Sequence, residues 1–490
     1  MLGNSGQIDQ DLQPNGEDSC PIGELRQRTG DAAGPLWRSS MICMEIAAAR
    51  EVPSQRRFVE LAHECGFALA GVAPARPLEE FAFYQQWVAD GMAGPMGYLT
   101  DHRMEIRSDP RQLLESARSV LCLGMLYNTV ETFTPDEENC APVPQHRTAN
   151  DRERPTYRTS TAPSRSRLRS GSEPRPRPGN ADLQIGTDCR VSGDVWGDFR
   201  RSDGIAEFAA DPAAPAPAFG IVSRYAWGSS DYHDVLRAAL ETLAARLREY
   251  WGDFEYRVCV DTAPLLERGY ARAAGLGWIG RNTCLINEPA GSWFLLGEIL
   301  ISVELPAGSP PLDRCGSCTR CIDACPTQAL VPVAGATGPE WQLDARLCIS
   351  TLTIEQKGAT PEATRPGTGH HVFGCDICQD VCPWNRRSPV TDEPAFQPLN
   401  ARLDLAEMAG LTRADFRVRF RSTPVWRSKF EGFLRNVATV MGNSGDPRYV
   451  KPLRTLAQSS GPGVAAHAQW ALAQLERQER AIEPTLKEQE

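Results

Sequence analysis

The chain has 490 residues, 41% of them hydrophobic, with a formal charge of −10. That length suits two to four domains with ordinary cores; the lack of any apolar run of about 18 or more residues excludes a membrane-spanning helix. The negative balance argues against nonspecific binding of polyanions by the whole molecule. Sixteen cysteines in a chain without an apolar leader point to thiols in a reducing compartment, so a cytoplasmic location is expected.

Residues 1–52 lack sustained periodicity and are expected to form a disordered extension, with Met41 or Met44 as a natural start. Ser54-Gln55-Arg56-Arg57-Phe58 looks like a twin-arginine export signal. The residues that follow carry charge within one turn, and Phe58, Leu61, Ala62 and Cys65 recur at helical spacing, which predicts an amphipathic surface helix instead. Beyond it, helical patterns alternate with short apolar runs such as residues 67–72 and 119–125, the pattern of a mixed α/β domain. Residues 131–217 turn to Pro-, Ser- and Arg-rich text and read as a disordered insertion, with Cys140 and Cys189 incidental to it.

Order resumes at Ile221, continues through a helix near Asp234–Glu249 and reaches a strand at Tyr256–Asp261. Asp231-x-His233-x-x-Leu236 half-resembles a signature by which some proteins offer histidine to a cobalamin cobalt, but its glycine is missing, so His233 reads as a polar surface or pocket residue. Asp261 admits two readings: the N-cap of a following helix, or a catalytic acid at a strand's end. Gly275-x-Gly277-x-x-Gly280 spells the dinucleotide fingerprint with its context reversed, helix before and strand after. Those glycines are expected to give tight turns or to let a flat, bulky cofactor approach the backbone.

The densest signal follows. Cys315-x2-Cys318-x2-Cys321-x3-Cys325-Pro326 has the bacterial ferredoxin spacing, in which three thiolates grip one cubane cluster and the fourth crosses to another. Cys375-x2-Cys378-x3-Cys382-Pro383 repeats the last three positions, and Cys348 stands before it as the displaced fourth. The crossing rule puts Cys315, Cys318, Cys321 and Cys382 on one [4Fe–4S] cluster and Cys325, Cys348, Cys375 and Cys378 on the second. Two structural zinc sites are the alternative, though they have no use for the Cys-x3-Cys-Pro ending. Each proline removes an N–H after its cysteine and turns the chain away.

The remaining residues read as helices: Phe433–Asn443 closed by Gly442-Asn443, another opened by Asp446-Pro447, and a third over Gly463–Glu479. Stacked pairs of this kind resemble a HEAT-type repeat. Between Arg413 and Arg454 ten basic residues face three acidic ones, a local balance of +7, read either as a nucleic-acid backbone site or as a solvated basic face.

In sequence, the ordered segments resemble one family, epoxyqueuosine reductase, over roughly 55–130 and 218–480. The resemblance is carried by Met96-Gly97-Tyr98-Leu99, Arg107-x-x-Pro110, Ser223-Arg224-Tyr225-Ala226-Trp227-Gly228, Asp231-Tyr232-His233, Val260 through Arg268, Gly275 through Thr283, Ala290 through Glu298, both cysteine runs, Cys348 through Glu355, and Thr423 through Lys429. It implies a cobalamin-binding α/β catalytic domain (53–308), a bacterial ferredoxin-like domain with two [4Fe–4S] clusters (309–390), a C-terminal all-α HEAT-like tRNA-binding domain (391–480) and a tail (481–490). It implies reduction of epoxyqueuosine to queuosine on tRNA, Asp261 as the proton donor with its pKa raised by burial, and Arg107, Arg224, Ser350 and Gln356 beside Asp261 as corrinoid contacts. A monomer reduced by an external ferredoxin- or flavodoxin-type donor is expected. A cobalamin-dependent reductive dehalogenase and a bare electron carrier are the alternatives.

Overall fold

A computed structural model describes residues 52–130, 219–333 and 340–487, without the side chains of 481–487. The extension before Val52, with Met41 and Met44, and the 131–217 insertion, with Cys140 and Cys189, lie outside the described residues.

The first helix, α1 (Gln55–Glu64), starts where the Ser54 hydroxyl accepts the Arg57 N–H, and it buries Phe58, Leu61 and Ala62. The paired arginines lie on its outer side: Arg56 bonds Glu60 at 2.9 Å and Arg57 covers the Tyr250 ring at 3.9 Å. After β1 (Leu69–Pro74), α2 (Glu80–Ala89) and the short α3 (Arg103–Ile106) comes β2 (Ser119–Leu126), buried in all but its last residue. Next are β3 (Phe219–Val222), α4 (Tyr232–Trp251), β4 (Tyr256–Cys259), α5 (Glu267–Ala273), β5 (Trp278–Ile279), β6 (Leu285–Ile286) and β7 (Phe294–Ile301). The main sheet has the order β1-β2-β7-β4 and is antiparallel throughout. Helices α1 and α4 cover one face through Leu61, Leu236, Leu240 and Leu247, and α5 covers the other through Tyr270 and Ala271. Two covered faces explain why β2 is apolar along its whole length instead of alternating.

The cysteine-rich segment is built from short pieces: α6 (Arg320–Asp323), β8 (Leu330–Pro332), β9 (Trp341–Leu343), α7 (Ile349–Ile354), β10 (His371–Phe373) and α8 (Ile377–Asp380). Then follow β11 (Arg402–Asp404), α9 (Leu405–Ala409), α10 (Arg413–Phe420), α11 (Lys429–Asn443), α12 (Val450–Leu456) and α13 (Pro462–Lys487). A second sheet, β10-β3-β11, draws one strand from each of three distant stretches. Its Val222, Phe373 and Leu403 share a core with Phe416, Phe433 and Val437 of the helices, so the catalytic, cysteine-rich and helical segments are interleaved within residues 50–490.

Gly442 does not close α11. It lies inside the helix, where a Cβ would meet Ala471 at 2.7 Å, and its role is to let α11 and α13 approach. The stop comes at Gly445, with φ +71°. Helix α13 continues to Lys487, past the expected end at Glu479: no breaker stands between that residue and Pro484, and the helix runs on through the proline. Among the described residues no helix is long and apolar enough to cross a membrane.

Candidate active site and cysteine clusters

Strand β4 ends at Cys259, and the chain turns sharply: the Thr262 N–H donates to the Val260 carbonyl across Asp261, whose φ is +41°. Helix α5 begins only at Glu267, with Leu266 at its cap, so Asp261 is no N-cap. Its Oδ2 instead receives the Tyr232 hydroxyl at 3.0 Å, Arg427 Nη1 at 3.2 Å and His233 Nε2 at 3.1 Å, and the side chain stays 40% exposed. The carboxylate is therefore gripped on one side and open on the other.

Asp231 positions the histidine. Its Oδ1 caps α4 by accepting the His233 N–H at 3.0 Å and contacts Nδ1 of the same ring at 2.7 Å. Burial works against charge on His233, but the Asp231 and Asp261 carboxylates outweigh it and raise the pKa to about 9. Burial likewise works to raise Asp261, yet His233, Arg427 and Tyr232 together hold it down at about 2. The raised acid expected from burial is thus reversed in this arrangement: the proton of the pair sits on the imidazole. Of the two readings of His233, surface or pocket, the structure gives the pocket; the partnership with Asp261 was not read from sequence, and its place at a helix start, two residues after a capping aspartate, was the available signal.

Arg427 continues the network, its Nη2 meeting Glu355 Oε1 at 2.8 Å. Glu355 closes α7, and Cys348 opens it. A helix of six residues is about 9 Å long, so Asp261 and the Cys348 thiol are joined through one short rigid element. Arg435 anchors that element from the helical segment: only 1% exposed, it donates to the carbonyls of Leu352, Gln356 and Gly358 at 2.6–2.8 Å.

The other expected contacts are distributed. Arg107 is buried and donates to the Tyr98 carbonyl at 3.3 Å; burial and the Glu355 and Asp261 charges push the Tyr98 phenol up to about 12, which puts this pair beside the acid. Ser350 offers its N–H and hydroxyl to Cys348. Gln356 donates to the carbonyl of Lys357 at 3.0 Å. The Arg224 guanidinium is spent elsewhere, between the Trp227 and Trp293 rings and on Asn128 Oδ1 at 2.6 Å.

None of the eight ferredoxin-pattern cysteines is in a disulfide. Cys321 is pushed up to about 11 by burial and by Cys315, Cys382 and Cys318. Cys375 is raised by burial, then by Cys348 and Cys325 among its neighbours, and Cys378 has Cys375 and Cys348 beside it. Cys321 therefore has Cys315, Cys318 and Cys382 as neighbours, and Cys375 has Cys325, Cys348 and Cys378. Among the described residues no three or more His, Cys, Asp or Glu are placed to hold a single metal ion. Sequence reasoning missed a ninth thiol, Cys284, which lies against Cys378.

The glycine fingerprint holds this segment in place. A Cβ on Gly277 would lie 2.2 Å from the Ile286 carbonyl oxygen and one on Gly280 2.4 Å from Ile286 Cδ1, so both permit the tight β5–β6 pair. Arg281 then donates to the Cys318 carbonyl at 3.0 Å, Asn282 to that of Cys378 at 3.3 Å, and Trp278 meets Trp384 edge-on at 5.1 Å.

Two family profiles match the chain: "4Fe-4S double cluster binding domain" over residues 314–385 and "Epoxyqueuosine reductase QueG, DUF1730" over 206–262. The epoxyqueuosine reductase of Xanthomonas campestris is 36% identical over 437 residues, covering 88% of this chain and 99% of that protein. That of Pseudomonas aeruginosa is 46% identical over 268 residues, 53% of this chain and 70% of its own length. A crystal structure of epoxyqueuosine reductase with an epoxyqueuosine-modified tRNA-Tyr stem loop shares the fold at TM-score 0.62 and 23% identity, covering 86% of this chain and 89% of that one. So does the Bacillus subtilis enzyme with its catalytic loop swung out of the active site, at TM-score 0.62 and 22% identity, covering 86% and 90%.

Proposed function

This chain belongs to the epoxyqueuosine reductase family of oxidoreductases, and from that premise we propose that it reduces epoxyqueuosine to queuosine at the wobble position of tRNA. The eight ferredoxin-pattern cysteines would hold two [4Fe–4S] clusters, which with cobalamin would supply the electrons of an external ferredoxin- or flavodoxin-type donor, and Asp261 delivers a proton. Taking the epoxide oxygen away as water breaks two carbon–oxygen bonds, forms a carbon–carbon double bond and consumes two electrons and two protons.

The observation that carries the reading is the half-open Asp261 carboxylate, 3.1 Å from a charged histidine and tied through Arg427 and Glu355 to the helix that Cys348 opens. Proton supply and electron supply thereby converge on one face. Two sets of four thiols suit two cubanes, and the Cys348 set is the one nearer the acid.

Cobalamin, when bound, supplies a strongly reducing centre beside the epoxide. The donor chemistry fits it: Arg107 and Ser350 offer N–H and O–H groups to corrin amides on the acid's side, Gln356 stands at the end of α7, and Asp261 keeps an open face. Arg224 supports the cysteine-rich segment, its backbone N–H donating to Asp376 at 2.6 Å, and reaches the cofactor at most through its outer edge. Asp261 acts as the donor after taking the His233 proton, which is 3.1 Å away. The C-terminal helices act as a HEAT-like platform for the tRNA backbone, while the modified base enters unstacked.

The test is anaerobic incubation of cluster-loaded protein with cobalamin, a strong reductant and epoxyqueuosine-containing tRNA, followed by nucleoside analysis. Queuosine formed only when cobalamin is present supports the reading; unchanged epoxyqueuosine with intact clusters and bound cobalamin overturns it.

A further inference from the structure

Beneath the Asp261 turn lies a second pair of carboxyl groups that the reaction above does not use. Glu298 stands in the middle of β7, where β2 and β4 place Cys122 and Cys259 directly across from it. All three side chains are fully buried, and they point toward α5, since their row belongs to the face that packs on Tyr270 and Ala271. Neither carboxyl oxygen of Glu298 has a hydrogen-bond partner, and Oε1 of Glu267, in the first turn of α5, is buried and unpartnered too.

An ionised carboxylate with no donor costs many kcal/mol in such a site, and two facing each other cost more. One proton relieves most of this: a carboxylic O–H on Glu298 donates to Glu267, which pairs two of the three oxygens and removes one of the two charges. The surroundings agree. The Glu267 pKa is raised to about 8 by burial first and by the Asp261 charge second, with the Asp261 N–H, Arg268 and His233 acting in the opposite sense. Glu298 is raised well above its usual range by burial, Glu267 and Asp261. The Cys122 and Cys259 thiols that flank it are pushed up by burial and by Glu298, and stay neutral. The Glu267 carboxyl also faces the backbone N–H of Asp261, the residue held at φ +41°.

We propose that Glu267 and Glu298 share one proton as a buried latch that holds the Asp261 turn in its site-facing conformation. They are positioning residues; neither touches substrate. A non-glycine residue at positive φ persists only where its surroundings over-determine it, and the bridged pair, carrying one negative charge instead of two, supplies an acceptor for the Asp261 N–H. The consequence for turnover rests on the reading of Asp261 as proton donor; the latch itself does not.

The test uses cluster-loaded, full-length protein and needs no turnover. In infrared difference spectra at pH 9, above the value at which Glu267 ionises, the carbonyl stretch of a non-ionised carboxylic acid disappears in Glu298→Gln and persists in Glu267→Gln. Amide hydrogen exchange of peptides covering 260–266 is about tenfold faster in Glu298→Leu, and unchanged in Glu298→Gln, whose amide still donates to Glu267. Absence of that band from the wild type, or wild-type exchange in Glu298→Leu, overturns the latch. If Glu298→Leu loses its clusters, the infrared comparison decides alone. If both readouts hold while Asp261→Asn keeps full activity, the latch stands and the proton-donor role falls.

Discussion

On the proposed reading, Asp261 and His233, 3.1 Å apart, share the one proton on which the rate depends. With the histidine raised to about 9, the protonated pair is full below that pH and empties above it, so activity at saturating reductant declines as pH rises through about 9. Initial rates of queuosine formation across pH check this; a decline near the ordinary histidine value contradicts it. Asp261→Asn retains both clusters and tRNA binding and loses at least about 100-fold in rate, the span of general acid catalysis. The aspartate was legible in the sequence because it follows a strand in an otherwise apolar stretch. Its partner Arg427 was not, because it lies 166 positions away and reaches the site only through the fold. No local pattern reports that distance.

At the scale of elements, α7 joins the Cys348 thiol to the Glu355–Arg427–Asp261 network, and α11 holds it. Arg435 is the binding pin: burial lowers its pKa to about 10, yet its guanidinium serves three carbonyls at the end of α7. Replacing it with methionine keeps the volume and orphans those carbonyls, so a loss of about 3 kcal/mol is expected in urea unfolding. A second pin is His467 of α13, which accepts the Thr360 N–H at 2.9 Å and contacts the Thr439 hydroxyl at 2.7 Å. Burial, with Arg365 and Arg435 beside it, lowers its pKa to about 3. The unfolded chain therefore takes a proton that the folded chain refuses: this contribution is complete above about pH 6.5 and shrinks on acidification, by at most about 1.4 kcal/mol per unit down to pH 3. His467→Gln flattens that slope in acid unfolding curves. The helices themselves were readable from their apolar spacing. The end of α11 at Asn443 was readable too, but which glycine serves it was not, since Gly442 and Gly445 look alike in sequence and only packing on Ala471 separates an interior glycine from a terminal one.

For the molecule as a whole, charge placement matters more than its sum. The +7 balance between Arg413 and Arg454 overstates what faces solvent, because Arg435 is interior, Arg427 belongs to the acid site, and Arg413, Arg419 and Arg448 bond Glu431, Glu407 and Asp446. What remains includes Lys451 and Arg454, which line an open groove of about 360 Å³ with Arg448. Lys451→Glu with Arg454→Glu is expected to weaken tRNA binding and to lower the slope of log affinity against log salt by about 1.4–1.8, as for two lost phosphate contacts. Titrations at several salt concentrations read this directly. The second sheet carries a final consequence, for how the protein is made. Strand β3 sits between β10 and β11, so a nascent polypeptide leaving the ribosome exposes β3 with both edges bare until residue 373 has been translated, and with one edge bare until residue 404. Such an edge is a template for aggregation, and expression at reduced temperature or with chaperones is expected to raise the soluble yield more than any change at the surface.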